Sequence, residues 1–371
     1  MRIAMIGQRG VPATFGGVER HVEELGARLV ERGHEVVVYN RPNYAASEIS
    51  EYRGMRVVTV PTIENKHLEA LVHSARCSWR ATRGKFDIVH FHAIGPGLAA
   101  ALPRVASSAR VVQTIHGLDH QRAKWGRLSQ AMLGVAAWSS GHVPDATVVV
   151  SRALGEWYAE QYGRPTTYIP NGVNVPTLQS RGAALERLGV GDRPYVLSVG
   201  RLVPEKDPES LIEAWRSFDS DAMLVIAGGS SFTDDYVAHL EDLARRDPRI
   251  VLAGYVYGDE LAELYTNAAV FVLPSLLEGL PLTLLEAVSY GLPIVASSIP
   301  PHVEVIGDSP GGRLFPAGDR AALVDALDAA LLDREARHDA ATLRSAVLAH
   351  YDWDHATDLL EELYRGWPGV E

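Results

Sequence analysis

Glu278 and Glu286 have seven residues between them in the run SLLEGLPLTLLEAVSYGLPIVAS, residues 275–297. The first stands in a short loop beside Gly279, and the second falls within a helical pattern that opens near Pro281 and is stopped by Gly291 and Pro293. Proline near a first turn forfeits only an N–H that lacks a helical partner, and glycine just past the last turn suits a left-handed cap. The open N–H groups at 282 to 284, from Leu282 and Thr283 onward, therefore point at the positive end of the helix toward whatever lies over Glu278. An anion site beside two carboxylates suits a ligand with both phosphate and hydroxyl groups, as in a sugar nucleotide.

Such a constellation needs a rigid frame. At 371 residues the chain exceeds the usual limit of one core, so two domains of ordinary size are expected. Strand-like runs, at 2–6, 35–39, 56–60, 87–91, 110–115 and 147–150, alternate with helical or irregular segments in the first half. A boundary is expected near YIPNGVNVP, residues 168–176, and a second α/β series follows, with strands at 195–199, 223–227, 250–252, 270–273, 294–296 and 313–315. The expected fold class is α/β: two Rossmann-like domains facing one another across a cleft, residues 1–170 and 171–352. The last segment, about 353–371, offers Leu359, Leu360, Leu363 and Tyr364 for docking on the first domain. In open parallel sheets ligands lie beyond the carboxyl ends of strands. His116 in TIHGLD follows such a strand and is assigned ligand contact; His90 is assigned a structural role.

The first strand leads into GQRGVPATFGG and a helix whose Val18, Val22, Leu25 and Leu29 share one face. Gly16 and Gly17 at its N-terminus permit close approach of a phosphate, or form only a tight turn. Gly7 and Gly10 do not complete G-x-G-x-x-G, which argues against a nicotinamide enzyme. Residues 1–171 hold 20 basic against 14 acidic side chains, net +6, while 172–371 hold 15 against 32, net −17, giving −11 overall. Two basic stretches contribute: KHLEALVHSARCSWRATRGK, with Trp79 and Arg80, and HQRAKWGRLSQ, with Arg122, Lys124 and Trp125. Tryptophan among basic residues suits anionic headgroups or a phosphate-bearing acceptor; the plainer reading is a solvated helix face over core residues such as Leu68, Leu71, Val72 and Ala75. Net acidity argues against nucleic acid. No apolar run is long enough to span a membrane, MRIAMIG reads as a strand and not as a signal peptide, and the single Cys77 allows no internal disulfide. A cytoplasmic protein that can work at the inner membrane face is the resulting expectation.

GRLVPEKD at 200–207, the Glu278 and Glu286 pair, and GLPIVAS resemble the donor-binding domain of the retaining family 4 (group 1) glycosyltransferases of GT-B fold. GQRGVPATFGGVERHVEEL and HGLDHQRAKWGR resemble a subgroup associated with rhamnosyl transfer. The resemblance implies that Arg201 and Lys206 hold the donor diphosphate with Gly17 and the amides at 282 to 284. It implies that Glu286 accepts from the ribose hydroxyls, that Glu278 and Gly279 meet the transferred sugar, that the chain near Tyr255 meets the base, and that His116 lies over the sugar. The acceptor enters on the face the diphosphate leaves, and the phosphate takes its proton. No cofactor is implied, and on the reading that no Asp-x-Asp metal signature appears anywhere in the chain, independence from divalent cations is expected. Asn174 stands where the family often has Asp, and Pro281 where many members have Gly. The expected activity is transfer of a hexose or 6-deoxyhexose from a nucleotide diphosphate sugar to a glycan or lipid-linked glycan in cell-surface glycoconjugate biosynthesis. Alternatives are a nucleotide-sugar epimerase of the same fold and a noncatalytic binding subunit.

Overall fold

The computed structural model describes the chain except residues 15, 45–48, 64–67, 119–126, 232 and 368–371, and at 43 and 127–131 it describes the backbone alone. The chain divides into two compact units, Met1–Gly172 with Asp352–Glu371, and Val173–Tyr351.

The first unit opens with β1 (Arg2–Ile6), α1 (Gly17–Glu31), β2 (Glu35–Asn40), β3 (Glu51–Tyr52) and β4 (Met55–Thr59). It continues through α2 (Glu69–Arg83), β5 (Ile88–His92), α3 (Ala101–Ala106), β6 (Arg110–Ile115), α4 (Arg127–His142), β7 (Ala146–Val149), α5 (Arg152–Tyr162) and β8 (Thr167–Tyr168). Its eight strands lie in the order β3-β4-β2-β1-β5-β6-β7-β8, parallel except for the short β3 against β4. Strand connections therefore diverge between β1 and β5.

The second unit runs α6 (Ala183–Arg187), β9 (Tyr195–Val199), α7 (Pro208–Arg216), β10 (Met223–Ala227), α8 (Asp234–Ala244), β11 (Ile250–Gly254) and α9 (Gly258–Asn267). There follow β12 (Val270–Leu273), α10 (Leu282–Ser289), β13 (Ile294–Ser297), α11 (Pro300–Ile306), β14 (Gly312–Phe315), α12 (Arg320–Leu332) and α13 (Ala336–His350). The order β11-β10-β9-β12-β13-β14, all parallel, is the doubly wound one, with its switch point between β9 and β12. β9, β10 and β12 are buried along their whole length, as continuous apolar runs covered on both faces must be. At Gly228, just past β10, φ is +151° and a Cβ would lie 1.7 Å from the Gly200 carbonyl oxygen, so only glycine lets the ends of β9 and β10 come this close.

The chain returns to the first unit with α14 (Trp353–Arg365), which packs on α1. Arg28 bonds Asp354 at 2.9 Å, His34 bonds Glu361 at 2.9 Å, and the Tyr364 hydroxyl reaches His90 Nδ1 at 2.5 Å.

Two elements depart from the sequence expectation. α13 was not expected: it buries Ala336, Ala340, Leu343 and Val347, and small alanines weaken its apolar stripe. In α2 the expected face is reversed. His73, Ser74, Cys77, Ser78 and Ala81 turn inward, while Leu68 and Ala75 are exposed. Buried polar groups explain the reversal, because His73 Nε2 donates to the Asn40 carbonyl at 3.1 Å and Ser78 to that of Ala99 at 3.0 Å.

Candidate functional site

The carboxyl edge of the second unit's sheet gathers the charged residues. Gly200 and Arg201 follow β9 directly, and a short turn carries Pro204–Lys206. Ser275 to Gly279 follow β12, the strand beside β9, so both loops rise from the switch point. They are tied together by backbone, since Leu276 and Leu277 donate to the Glu205 carbonyl at 2.9 and 3.4 Å. The Lys206 ammonium pairs with the Glu278 carboxylate, whose side chain is only 8% exposed, and Ser275 Oγ donates to the same carboxylate at 2.8 Å. Burial pushes the Glu278 carboxyl up, but Lys206 and the Ser275 hydroxyl outweigh it and hold it below the ordinary range.

Pro281 precedes α10 in extended conformation, without a side-chain cap. The expected set of open amides at 282 to 284 is corrected to Leu282 and Thr283, because Leu284 donates to the Pro281 carbonyl at 3.1 Å. Glu286 is half-buried and accepts from the Tyr265 hydroxyl at 3.1 Å. Tyr255 follows β11 on the same edge; its exposed ring stacks on Tyr257 with centroids 5.9 Å apart, and its hydroxyl donates to the Ser230 carbonyl. Behind Glu278, the fully buried His302 donates from Nδ1 to the Ser297 carbonyl at 2.9 Å, and burial lowers its pKa to about 4.

At the carboxyl edge of the first unit three imidazoles gather, beside a buried ion pair of Arg41 with Glu69 at 3.3 Å. His92 ends β5, His116 follows β6, and His21 lies in the second turn of α1. Burial lowers His21 to about 4 and His90 to about 3, so these rings are neutral at pH 7. His90 has both nitrogens occupied, by Tyr364 and by Thr114 Oγ1 at 2.7 Å, and does structural work. Gly16 stands before α1 with φ of +126°, a conformation suited to glycine. Beside it the buried Glu19 accepts from the Arg9 amide at 2.9 Å, so the approach to Gly16 and Gly17 passes a carboxyl that burial pushes up.

The description "Glycosyl transferases group 1" matches residues 184–342, and "Glycosyltransferase Family 4" matches residues 15–176. The phosphatidyl-myo-inositol mannosyltransferase of Mycobacterium leprae is 30% identical over 98% of this chain and 96% of its own. The chain belongs to the family 4, group 1 glycosyltransferases. A GDP-mannose-dependent alpha-(1-6)-phosphatidylinositol monomannoside mannosyltransferase of Mycolicibacterium smegmatis is 29% identical, covering 96% of each chain. Among solved structures, sucrose-phosphate synthase from Thermosynechococcus elongatus superposes with a TM-score of 0.85 at 25% identity over 98% of both chains, and the fold is GT-B.

In this glycosyltransferase Arg201, Lys206, Tyr255, Glu278, Gly279, Leu282, Thr283 and Glu286 share one edge of the second unit's sheet. Trp79 and Arg80 lie elsewhere, on the outer face of α2, with Trp79 54% exposed and the Arg83 guanidinium 3.3 Å over its ring. Arg122, Lys124 and Trp125 lie outside the described residues. The chain does contain Asp-x-Asp tripeptides, at 219–221 and 352–354. Asp219 and Asp221 are exposed between α7 and β10, at the amino edge of the sheet and opposite the candidate site; Asp352 caps α14 and Asp354 pairs with Arg28. Sequence reasoning missed His21, Asn171, Tyr265 and Ser275. The last stands three residues before Glu278, the spacing of a local side-chain hydrogen bond, and carried the only readable signal.

Proposed function

We propose that this glycosyltransferase moves a hexose or 6-deoxyhexose, with retention at the anomeric carbon and without a divalent metal, from a nucleotide diphosphate sugar to a glycan or lipid-linked glycan. The observation that carries the reading is the convergence of Arg201, Lys206 and the open amides of Leu282 and Thr283 on one switch-point edge. Charge that develops on a departing diphosphate is best stabilised by donors already in place. Arg201 offers a planar fork and Lys206 a point charge. An ammonium has three N–H groups, so Lys206 keeps Glu278 and still serves a phosphate oxygen.

In this reading Glu286 accepts from the ribose, steadied by the Tyr265 hydroxyl, while Glu278 and Gly279 hold hydroxyls of the sugar and Tyr255 meets the base. The bond from the anomeric carbon to the phosphate oxygen breaks with its electron pair going to the diphosphate. The acceptor oxygen bonds to the same face of that carbon and passes its proton to the departing phosphate. His116, with Gly16 and Gly17, is the first unit's contribution to donor contact. Trp79 and Arg80, with Arg122, Lys124 and Trp125, are assigned to the acceptor or to an anionic membrane surface at the inner face of the cell membrane. The phosphatidylinositol-type names of two relatives favour such an acceptor. Among the described residues no helix is long and apolar enough to cross a membrane, so contact would be peripheral.

The test is thermal unfolding with UDP, GDP, dTDP and ADP and their sugars, followed by transfer assays with the stabilising donor in excess chelator. One nucleotide should raise the melting temperature by mass action, Lys206→Ala should abolish the rise, and the product should keep the donor's anomeric configuration. An inverted product, or activity lost to chelator and restored by manganese, would overturn the reading.

A further inference from the structure

We infer that His21, His92 and His116 form a site for a divalent transition ion of the zinc class within the first unit. The three residues come from α1, the end of β5 and the turn after β6, and converge where the strand connections of that sheet diverge. One nitrogen from each lies within 4.8 Å of the others. The ring centroids are 4.6 Å apart for His21 and His116, 5.5 Å for His21 and His92, and 5.6 Å for His92 and His116. Three imidazoles bound tetrahedrally at about 2.0–2.1 Å from an ion place their centroids about 5 Å apart, so the rings already stand at the required spacing. Closing the nitrogens onto an ion takes ring rotation more than backbone movement.

Hydrogen bonding supports the same assignment. Buried polar atoms are nearly always partnered, yet Nε2 of His21 and Nε2 of His92 are buried and have no hydrogen-bond partner among the described residues. The buried Asn171 Oδ1 accepts from His21 Nδ1 at 2.9 Å, which fixes the tautomer and leaves the Nε2 lone pair to point elsewhere. An imidazole oriented through its far nitrogen is the usual second layer of a metal site. His92 Nδ1 lies 3.4 Å from His116 Nε2, at the limit of a hydrogen bond, so His116 loses little by turning to an ion. The His90 ring lies tilted against His92 with centroids 4.3 Å apart but has both nitrogens occupied, so it buttresses the trio and does not join it.

Ligand chemistry selects the ion. Imidazoles suit zinc, copper, nickel and iron, whereas magnesium and calcium require oxygen donors, and this group contains none. His116 is half-buried and its two partners are buried, so a fourth position would open on its side, to water or to a ligand hydroxyl. The inference does not rest on the donor reading. Transfer that ignores chelator and zinc binding to the first unit are separate outcomes, although an ion here would engage the imidazole that reading offers to the sugar, and zinc would then inhibit.

The experiment is a titration of the chelator-stripped full chain with cobalt(II), followed by visible absorption and then displaced by zinc. One ion per chain with the intense absorption of a four-coordinate centre, displaced by zinc and not by magnesium, is expected. His21→Ala and His92→Ala should lose that absorption while keeping their circular dichroism. Asn171→Ala retains all three ligands and should bind zinc about 10–100-fold more weakly; it also serves if the histidine variants fail to fold. Weak octahedral absorption in the parent chain, or unchanged zinc affinity in Asn171→Ala together with any folded histidine variant, would overturn the site.

Discussion

The two units have the same architecture and opposite polar chemistry at the carboxyl edge of their sheets. In the first, the groups that converge between β1 and β5 are imidazoles that burial keeps uncharged; in the second, between β9 and β12, they are an ion pair with an arginine beside it. The second unit holds its buried charge at the switch point itself and compensates it there. A site that meets a diphosphate needs cations in place before the ligand arrives, and Glu278 supplies the counter-charge that lets Lys206 sit partly buried. The first unit buries an ion pair of its own, Arg41 with Glu69 beyond β2, but where its strand connections diverge His21, His92 and His116 pack against one another, and His21 against Trp353 from α14.

The sharpest way to break this comparison is at Lys206. Lys206→Ala leaves Glu278 buried without its cation, which costs about 3–5 kcal/mol when a partner of a buried pair is removed, and should lower transfer by about 10²–10³-fold. Stability and activity then separate in a double variant. Lys206→Met with Glu278→Leu should regain most of the stability, measured by denaturant unfolding, while activity stays lost. If activity returned with stability, the pair would be structural and the contrast between the units would fail.

A smaller effect tests how the second unit keeps His302 neutral. Its folded pKa of about 4 lies below the ordinary 6.5, so the unfolded chain binds more protons between these values, and the stability it contributes is present above 6.5 and lost as pH falls toward 4. Between pH 7 and pH 5 that amounts to about 2 kcal/mol. His302→Gln should remove this part of the pH dependence of unfolding. An identical slope in the variant would show that His302 is not buried as described.

In the first unit, Tyr364→Phe removes the hydroxyl that joins α14 to His90 and leaves a buried nitrogen unpaired. The expected loss is about 1–2 kcal/mol, read by urea unfolding. Little change in donor-induced stabilisation should accompany it, since the Tyr364 hydroxyl bonds His90, which has no part in the proposed donor contacts.

The frame was largely readable because buried parallel strands leave continuous apolar runs, as in YVLSV and MLVIA, and because Pro281 and Gly291 bracket α10. The charges gathered at the carboxyl edge of the second unit's sheet were readable from their spacing along single loops. What escaped was set by partners remote in sequence. The inward face of α2 follows from Asn40 and Ala99, His21 acquires its meaning from Asn171 and His92, and Tyr265 matters only because α9 carries it beside Glu286. The expectation that the chain holds no Asp-x-Asp tripeptide fails on the letters alone, at 219–221 and 352–354, and the fold adds that Asp219 and Asp221 stand at the amino edge of the sheet.

Tyr265 provides the finest test of the contrast, because it is neutral support for a charged site. Its hydroxyl donates to Glu286 from a buried position and its ring stacks on Tyr290 at 5.1 Å, so Tyr265→Phe keeps the packing and deletes one hydrogen bond. Glu286 is half-buried and can regain water, so the stability cost should stay near 1 kcal/mol or below. If Glu286 holds the ribose, the freed carboxylate loses orientation and the donor's Kd should rise by about 2- to 10-fold, with kcat nearly unchanged, the mark of an interaction made equally in ground and transition states. A fall in kcat at constant Kd would move Glu286 from nucleotide binding to the reacting sugar and would reassign the two carboxylates.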